Sequence, residues 1–164
     1  MPEGPEVDSL NSVKYLFLRE LSEPRDNSLR VVVQEAKENP YAPIPVSGDI
    51  PEVAELLKGS VVIESVEGCK TFELMWERYV SYCVTEELVG SCGKGNDEIY
   101  VGRLLRLYTK SHFLEHLTKD TGGHVEPIQH YKLICLNHLV DVASYTQPEI
   151  RLIDSAPTPP SRIQ

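Results

Sequence analysis

No two of the four cysteines, Cys69, Cys83, Cys92 and Cys135, stand in CxxC spacing. That excludes a zinc ribbon or finger, whose ligand pairs need that spacing to close on one ion. Basic residues are also scarce: 16 Lys and Arg stand against 25 Asp and Glu, a net charge of −9, with a pI of about 5.0. A duplex DNA binder needs a cationic surface to neutralise phosphates, so no nucleic acid partner is expected. The same charge favours a basic protein partner. No run approaches the ~18 apolar residues of a membrane helix, so no membrane partner is expected. The N-terminus has no basic flank leading into an apolar run, so no export signal is expected, and a cytoplasmic location is the default. Two nucleotide and hydrolase signatures are missing as well. The loop "GSCGKG" (90–95) fails the P-loop spacing, and there is no G-x-S-x-G.

What remains is an ordinary globular composition. The chain has 164 residues, of which 41% are hydrophobic and 25% charged. One domain is the expectation. A chain of this size buries roughly 70% of its unfolded surface, which is core enough without staples.

Residues 1–11 carry two prolines and no hydrophobic period, which reads as a flexible arm. A single globular domain is expected over 12–153, followed by a Pro/Ser-rich disordered tail over 154–164. "SVKYLFLREL" (12–21) and "SLRVVVQEA" (28–36) flank the turn cluster "SEPRDN". That pattern predicts a hairpin, although the first segment also reads as a short helix. "DIPEVAELLKG" (49–59) predicts a helix, with Asp49 and Glu52 as a capping box and Gly59 as the stop. "SVVIESVEG" (60–68) reads as a strand.

"TFELMWERYVSYCVTEE" (71–87) is the most informative segment. Phe72, Leu74, Trp76, Val80, Tyr82 and Val84 share one parity, against Glu73, Glu77, Ser81 and Thr85. That is a strand with one buried face, and Arg78 interrupts it. A straight strand of this length would be ~55 Å, too long for so small a domain. A bend near Arg78, or a strand shared by two sheets, is expected. "IYVGRLLRLYTK" (99–110) reads as its hairpin partner. "SHFLEHLTKDTGG" (111–123) predicts a helix capped by Ser111, and "HYKLICLNHLVDVASY" (130–145) a strand buried on both faces. The expected fold class is α+β, mainly antiparallel β-sheet or a small sandwich, with two short helices.

Three motifs invite chemistry. "HFLEH" (112–116) has the H-x-x-E-H spacing of inverted zinc peptidases. Phe113, Leu114 and Leu117, however, define the inner side of that helix, which turns His112, Glu115, His116 and Lys119 outward as a solvated face. No metal is expected there. "NHLVD" (137–141) sets His138 near Asp141, with Ser111 available elsewhere, but 138 and 141 have opposite strand parity and would not orient each other. Cys83 and Cys135, inside apolar segments, are expected in the core, which leaves Cys92 in the Gly-rich loop as the reactive thiol.

The first seven residues, "MPEGPEV", resemble the start of the formamidopyrimidine-DNA glycosylases, in which the Pro2 amine is the nucleophile and Glu3 assists. The family's lysine hairpin, DNA-binding helices and zinc finger have no counterpart here, so the match is read as coincidental. A longer resemblance runs through "KYLFLREL…SLRVVVQEA", "FELMWERYVSYCVTEE", "RLYTKSHFLEHL" and "HYKLICLNHLVDVAS". Together these are similar to a family of small bacterial cytoplasmic proteins without an assigned activity, in settings that imply immunity or antitoxin roles. It brings no catalytic residues.

The expected function is therefore a non-catalytic protein-binding module that takes a basic partner, with no cofactor. The alternative is a small-molecule-binding protein or enzyme. Its site would hold Trp76, Arg78 and His138, near the other late histidines, with Arg78 as the anion anchor.

Overall fold

The computed structural model describes residues 3–43, 57, 59–90, 97–120, 122 and 127–154. The helix expected over 49–59 (all but Leu57 and Gly59), the tail beyond 154, Pro2, Cys92 and His124 lie outside the described residues. The elements are α1 (Pro5–Ser12), β1 (Tyr15–Ser22), β2 (Leu29–Asn39), β3 (Val62–Glu64), β4 (Thr71–Trp76), β5 (Tyr79–Glu86) and the single turn α2 (Glu87–Gly90). They continue as β6 (Ile99–Val101), β7 (Leu105–Lys110), α3 (His112–Asp120), β8 (Gln129–Ile134), β9 (His138–Ser144) and β10 (Glu149–Ile153).

Two antiparallel five-stranded sheets result. One has the order β1-β2-β4-β10, with β3 added to β2; the other is β5-β9-β8-β7-β6. The expected α+β class with mainly antiparallel sheet is what forms. Alternate residues of both sheets, Leu16, Val31, Val33, Phe72, Leu74 and Trp76 from one and Leu105, Tyr131, Leu133, Val140 and Val142 from the other, make one shared core.

The β1–β2 hairpin closes as expected. Asn27 takes a φ of 57°, a conformation that asparagine tolerates, and Ser28 ties back to Arg25 through its hydroxyl. The long period-two segment does serve both sheets. β4 ends at Trp76, the chain bends at Glu77 and Arg78, and β5 starts in the other sheet at Tyr79. The bend is held on both sides: Tyr79 N donates to Asn27 O at 3.0 Å, while Arg78 O accepts from Tyr145 N at 3.1 Å and Ser144 Oγ at 2.8 Å.

Four expectations change. Residues 5–12 are not a loose arm. A short helix with Pro at its start buries Val7 and Leu10 in the core, at a spacing of three that places both on one helical face. Asn11 then fixes the helix to the other sheet, its Oδ1 accepting the N–H groups of Arg103, Leu104 and Leu105 at 2.9–3.2 Å. Residues 99–110 do not pair with 79–86; they split into the hairpin β6–β7, and β5 pairs with β9 instead. Residues 130–145 are two strands, because the chain turns at Leu136–Asn137. The turn docks on β1, with Asn137 donating to Leu18 O at 3.0 Å and accepting from Leu18 N at 2.9 Å. Cys83 is exposed, because β5 is an edge strand; Cys135 is buried as expected, and that burial pushes its thiol up to about 12.

On the solvent side of the first sheet, Arg30 reaches Glu20 and Glu73, each at 2.5 Å. The hydrogen bond from Arg30, helped by Ser22, holds the Glu20 carboxyl below its ordinary range. A depressed carboxylate stabilises the fold above its unfolded pKa, and that stability is lost as pH falls through the folded pKa. Arg30→Met is therefore expected to shrink the loss of stability seen between pH 7 and pH 3. Urea midpoints at the two pH values measure it; an unchanged difference would place the acid sensitivity elsewhere.

Candidate functional site

The three residues expected to share a site are kept apart by the fold. Trp76 is fully buried between the sheets, its ring 6.0 Å from that of Tyr131, and its Nε1 has no partner among the described residues. Arg78 is exposed at the bend, with its guanidinium 4.8 Å over the Tyr145 ring. It lines a shallow depression of about 330 Å³ with Asp26, Asn27, Glu77, Tyr79 and Tyr145. His138 begins β9, whose far end, Ser144, lies at the bend. At ~3.3 Å per residue that is roughly 20 Å from Arg78. Among the described residues, none of the late histidines lines the Arg78 depression.

The carboxylates on the other parity of the long segment, Glu73 and Glu77, are matched by arginines. Glu73 pairs with Arg30, and Glu77 accepts two hydrogen bonds from Arg25, at 2.7 and 2.8 Å. Acidity collects elsewhere, where α1 meets β10. Glu3, Glu6 and Glu149 line a depression of about 200 Å³ with Val7, Gln147, Pro148 and Ile150. Of the three carboxylates, Glu149 is engaged by Arg151 at 2.7 Å. The first turn of α1 contains Glu6 and Asp8, and its last turn has no basic residue. The site is thus a carboxylate rim over a partly apolar floor, suited to the stem and charged head of a Lys or Arg side chain.

"HFLEH" folds as its pattern implies, with Ser111 Oγ accepting Leu114 N–H at 3.1 Å as the cap of α3. His112 and His116 are exposed and paired, with Asp97 at 2.8 Å and Asp120 at 3.4 Å. No cluster of metal-ligating side chains occurs among the described residues.

A polar chain that the sequence did not disclose runs beneath α3. Asp141 Oδ1 lies 2.8 Å from His130 Nε2, and His130 Nδ1 lies 2.7 Å from Ser111 Oγ. All three residues are buried, His130 almost completely. Tyr108 stacks on the imidazole at 4.4 Å, Phe113 covers it at 5.1 Å, and Lys132 Nζ reaches Asp141 at 3.2 Å. The histidine is His130, not His138, because the β8–β9 hairpin puts Lys132 opposite Asp141 and His130 on its diagonal. Reading Asn137 as the turn residue would have produced this register. Beside Ser111, Leu114, Glu115, Thr118, Lys119 and Lys110 line an open groove of about 430 Å³.

Among the described residues no helix is long and apolar enough to cross a membrane. No known protein family, curated protein or solved structure matches this chain.

Proposed function

We propose that the protein is a binding module that docks a basic protein partner on the face formed by α1 and β10. The observation that carries this reading is the depression lined by Glu3, Glu6 and Glu149. Glu6 is held on a folded helix and Glu149 on a sheet edge, so little conformational freedom of these two is lost on binding. A net charge of −9 steers a cationic partner toward it from a distance. The resemblance of the chain's segments to small bacterial proteins of immunity or antitoxin settings agrees with an inhibitor of a basic toxin or nuclease, acting in the cytoplasm.

The test pairs capture with mutation. The immobilised protein retains a basic protein from bacterial cytosol at low salt and releases it as salt rises. Purified partner then binds E3Q/E6Q/E149Q roughly tenfold more weakly than wild type. Retention of no basic protein, or binding indifferent to both salt and the three substitutions, would overturn the proposal.

A further inference from the structure

We infer that Ser111 is an activated nucleophile for short-chain esters, with His130 as its base and Asp141 as the group that orients the base. This is independent of the acidic docking face and stands on the buried chain beneath α3. Asp141 Oδ1 accepts His130 Nε2–H at 2.8 Å, which leaves Nδ1 as the acceptor for the Ser111 hydroxyl at 2.7 Å. The base is thereby fixed in the tautomer that removes the serine proton. The ring's orientation is opposite to that of the familiar serine hydrolases, with Nδ1 rather than Nε2 facing the hydroxyl, but the roles are the same. Tyr108 and Phe113 clamp the imidazole and shield it from water. Lys132 Nζ lies 3.2 Å from the same Asp141 oxygen and holds the carboxyl in place from its other side.

Ser111, 3% exposed, is one of the residues that line the groove, whose Leu114 and Thr118 offer a surface for a small acyl group. In the first step Ser111 Oγ bonds to the ester carbonyl carbon as its proton passes to His130 Nδ1. The carbonyl oxygen takes the electron pair, giving the tetrahedral intermediate. The intermediate collapses, the bond to the alkoxide breaks, and the departing oxygen takes the proton from His130. Water then attacks the acyl-serine by the same proton route, releasing the acid and restoring the hydroxyl.

The experiment treats the wild-type protein with a fluorophosphonate probe and with p-nitrophenyl acetate. The expected result is a covalent adduct on the peptide carrying Ser111, with p-nitrophenol release that H130Q lowers by about 10²–10⁴-fold. Ser111→Asn keeps a side chain that caps helices and lacks the nucleophile, so it loses both adduct and turnover while melting near wild type. An unlabelled Ser111 in the folded wild-type protein would overturn the inference, whatever the variants do. An adduct on another residue, or ester cleavage that survives Ser111→Asn, would overturn it equally.

Discussion

Replacing Trp76 with alanine is expected to destabilise the protein by about 3–5 kcal/mol, the range for emptying an aromatic site in a core. The residue is fully buried, at the end of β4 where the chain is about to leave one sheet for the other, and it packs against Tyr131 of the opposite sheet. The cavity is therefore bounded by both layers, close to the corner that joins them, and neither can collapse into it independently. For a chain of this length each kcal/mol lowers the melting temperature by roughly 2–4 °C, so the midpoint falls by ~10 °C or more. Trp76→Phe should behave differently. It shortens the side chain, but it also removes an indole N–H that is buried with no partner among the described residues. Relief of that unmet donor offsets part of the lost volume, and the cost should stay near ~1–2 kcal/mol. Circular dichroism suits both variants, since each removes the chain's only tryptophan. A loss below about 1 kcal/mol for Trp76→Ala would show that the two layers do not depend on this wedge.

The second large effect concerns Asn11. Its side-chain oxygen collects three consecutive backbone N–H groups from residues 103–105, and its own carbonyl accepts Arg103 Nε at 2.9 Å. Alanine at this position strands those donors at the entry to β7. Water can reach some of them, so the expected cost is about 2–3 kcal/mol rather than three full penalties. Asn11→Asp keeps the acceptor and adds a charge that the N–H groups and Arg103 favour, so it should hold stability near wild type. Hydrogen exchange gives a second readout: in Asn11→Ala the amides of α1 and of residues 103–105 should lose protection together. If α1 alone loosens, the asparagine is only a local cap. Its neighbours Val7 and Leu10 are core residues, so a truncated protein lacking residues 1–11 should be much less stable than the full chain.

Much of the architecture is readable from residues 71–87. Alternation names the buried face of β4, where Phe72, Leu74 and Trp76 are in the core, but not of β5, where Val80 and Tyr82 are only half-buried and Val84 is exposed because β5 is an edge strand; the geometric excess of so long a strand predicts a bend or a change of sheet at Arg78. The capped helix at Ser111 is legible for the same reason: cap chemistry is local. What stays hidden is long-range. Nothing in "IYVGRLLRLYTK" says that its neighbour is β8 rather than β5, because strand pairing is decided by the whole set of edges competing for partners. "HYKLICLNHLVDVASY" conceals its turn because both sides are apolar, and only Asn137 and His138 break the run. Without that turn the wrong histidine stands beside Asp141: a continuous strand offers His138, while the hairpin register delivers His130. Residues 5–12 pass for an arm because an eight-residue helix with two apolar contacts is too short to show a period. Its helical state comes from packing on the sheets rather than from its own preference.

The bend at Arg78 has a counterpart at Ser144–Thr146, where β9 hands over to β10. Since β4 pairs with β10 and β5 with β9, the two crossings travel side by side as one folded ribbon. Each half of the chain thus lends an edge to the layer built by the other: β5 leaves the N-terminal strands to finish the second sheet, and β10 returns to finish the first. Neither layer is complete until the last residues of the ribbon arrive. Folding must therefore wait for pairing between distant parts of the chain, which makes it slow, and unfolding should proceed as a single cooperative event with no stable half-molecule along the way.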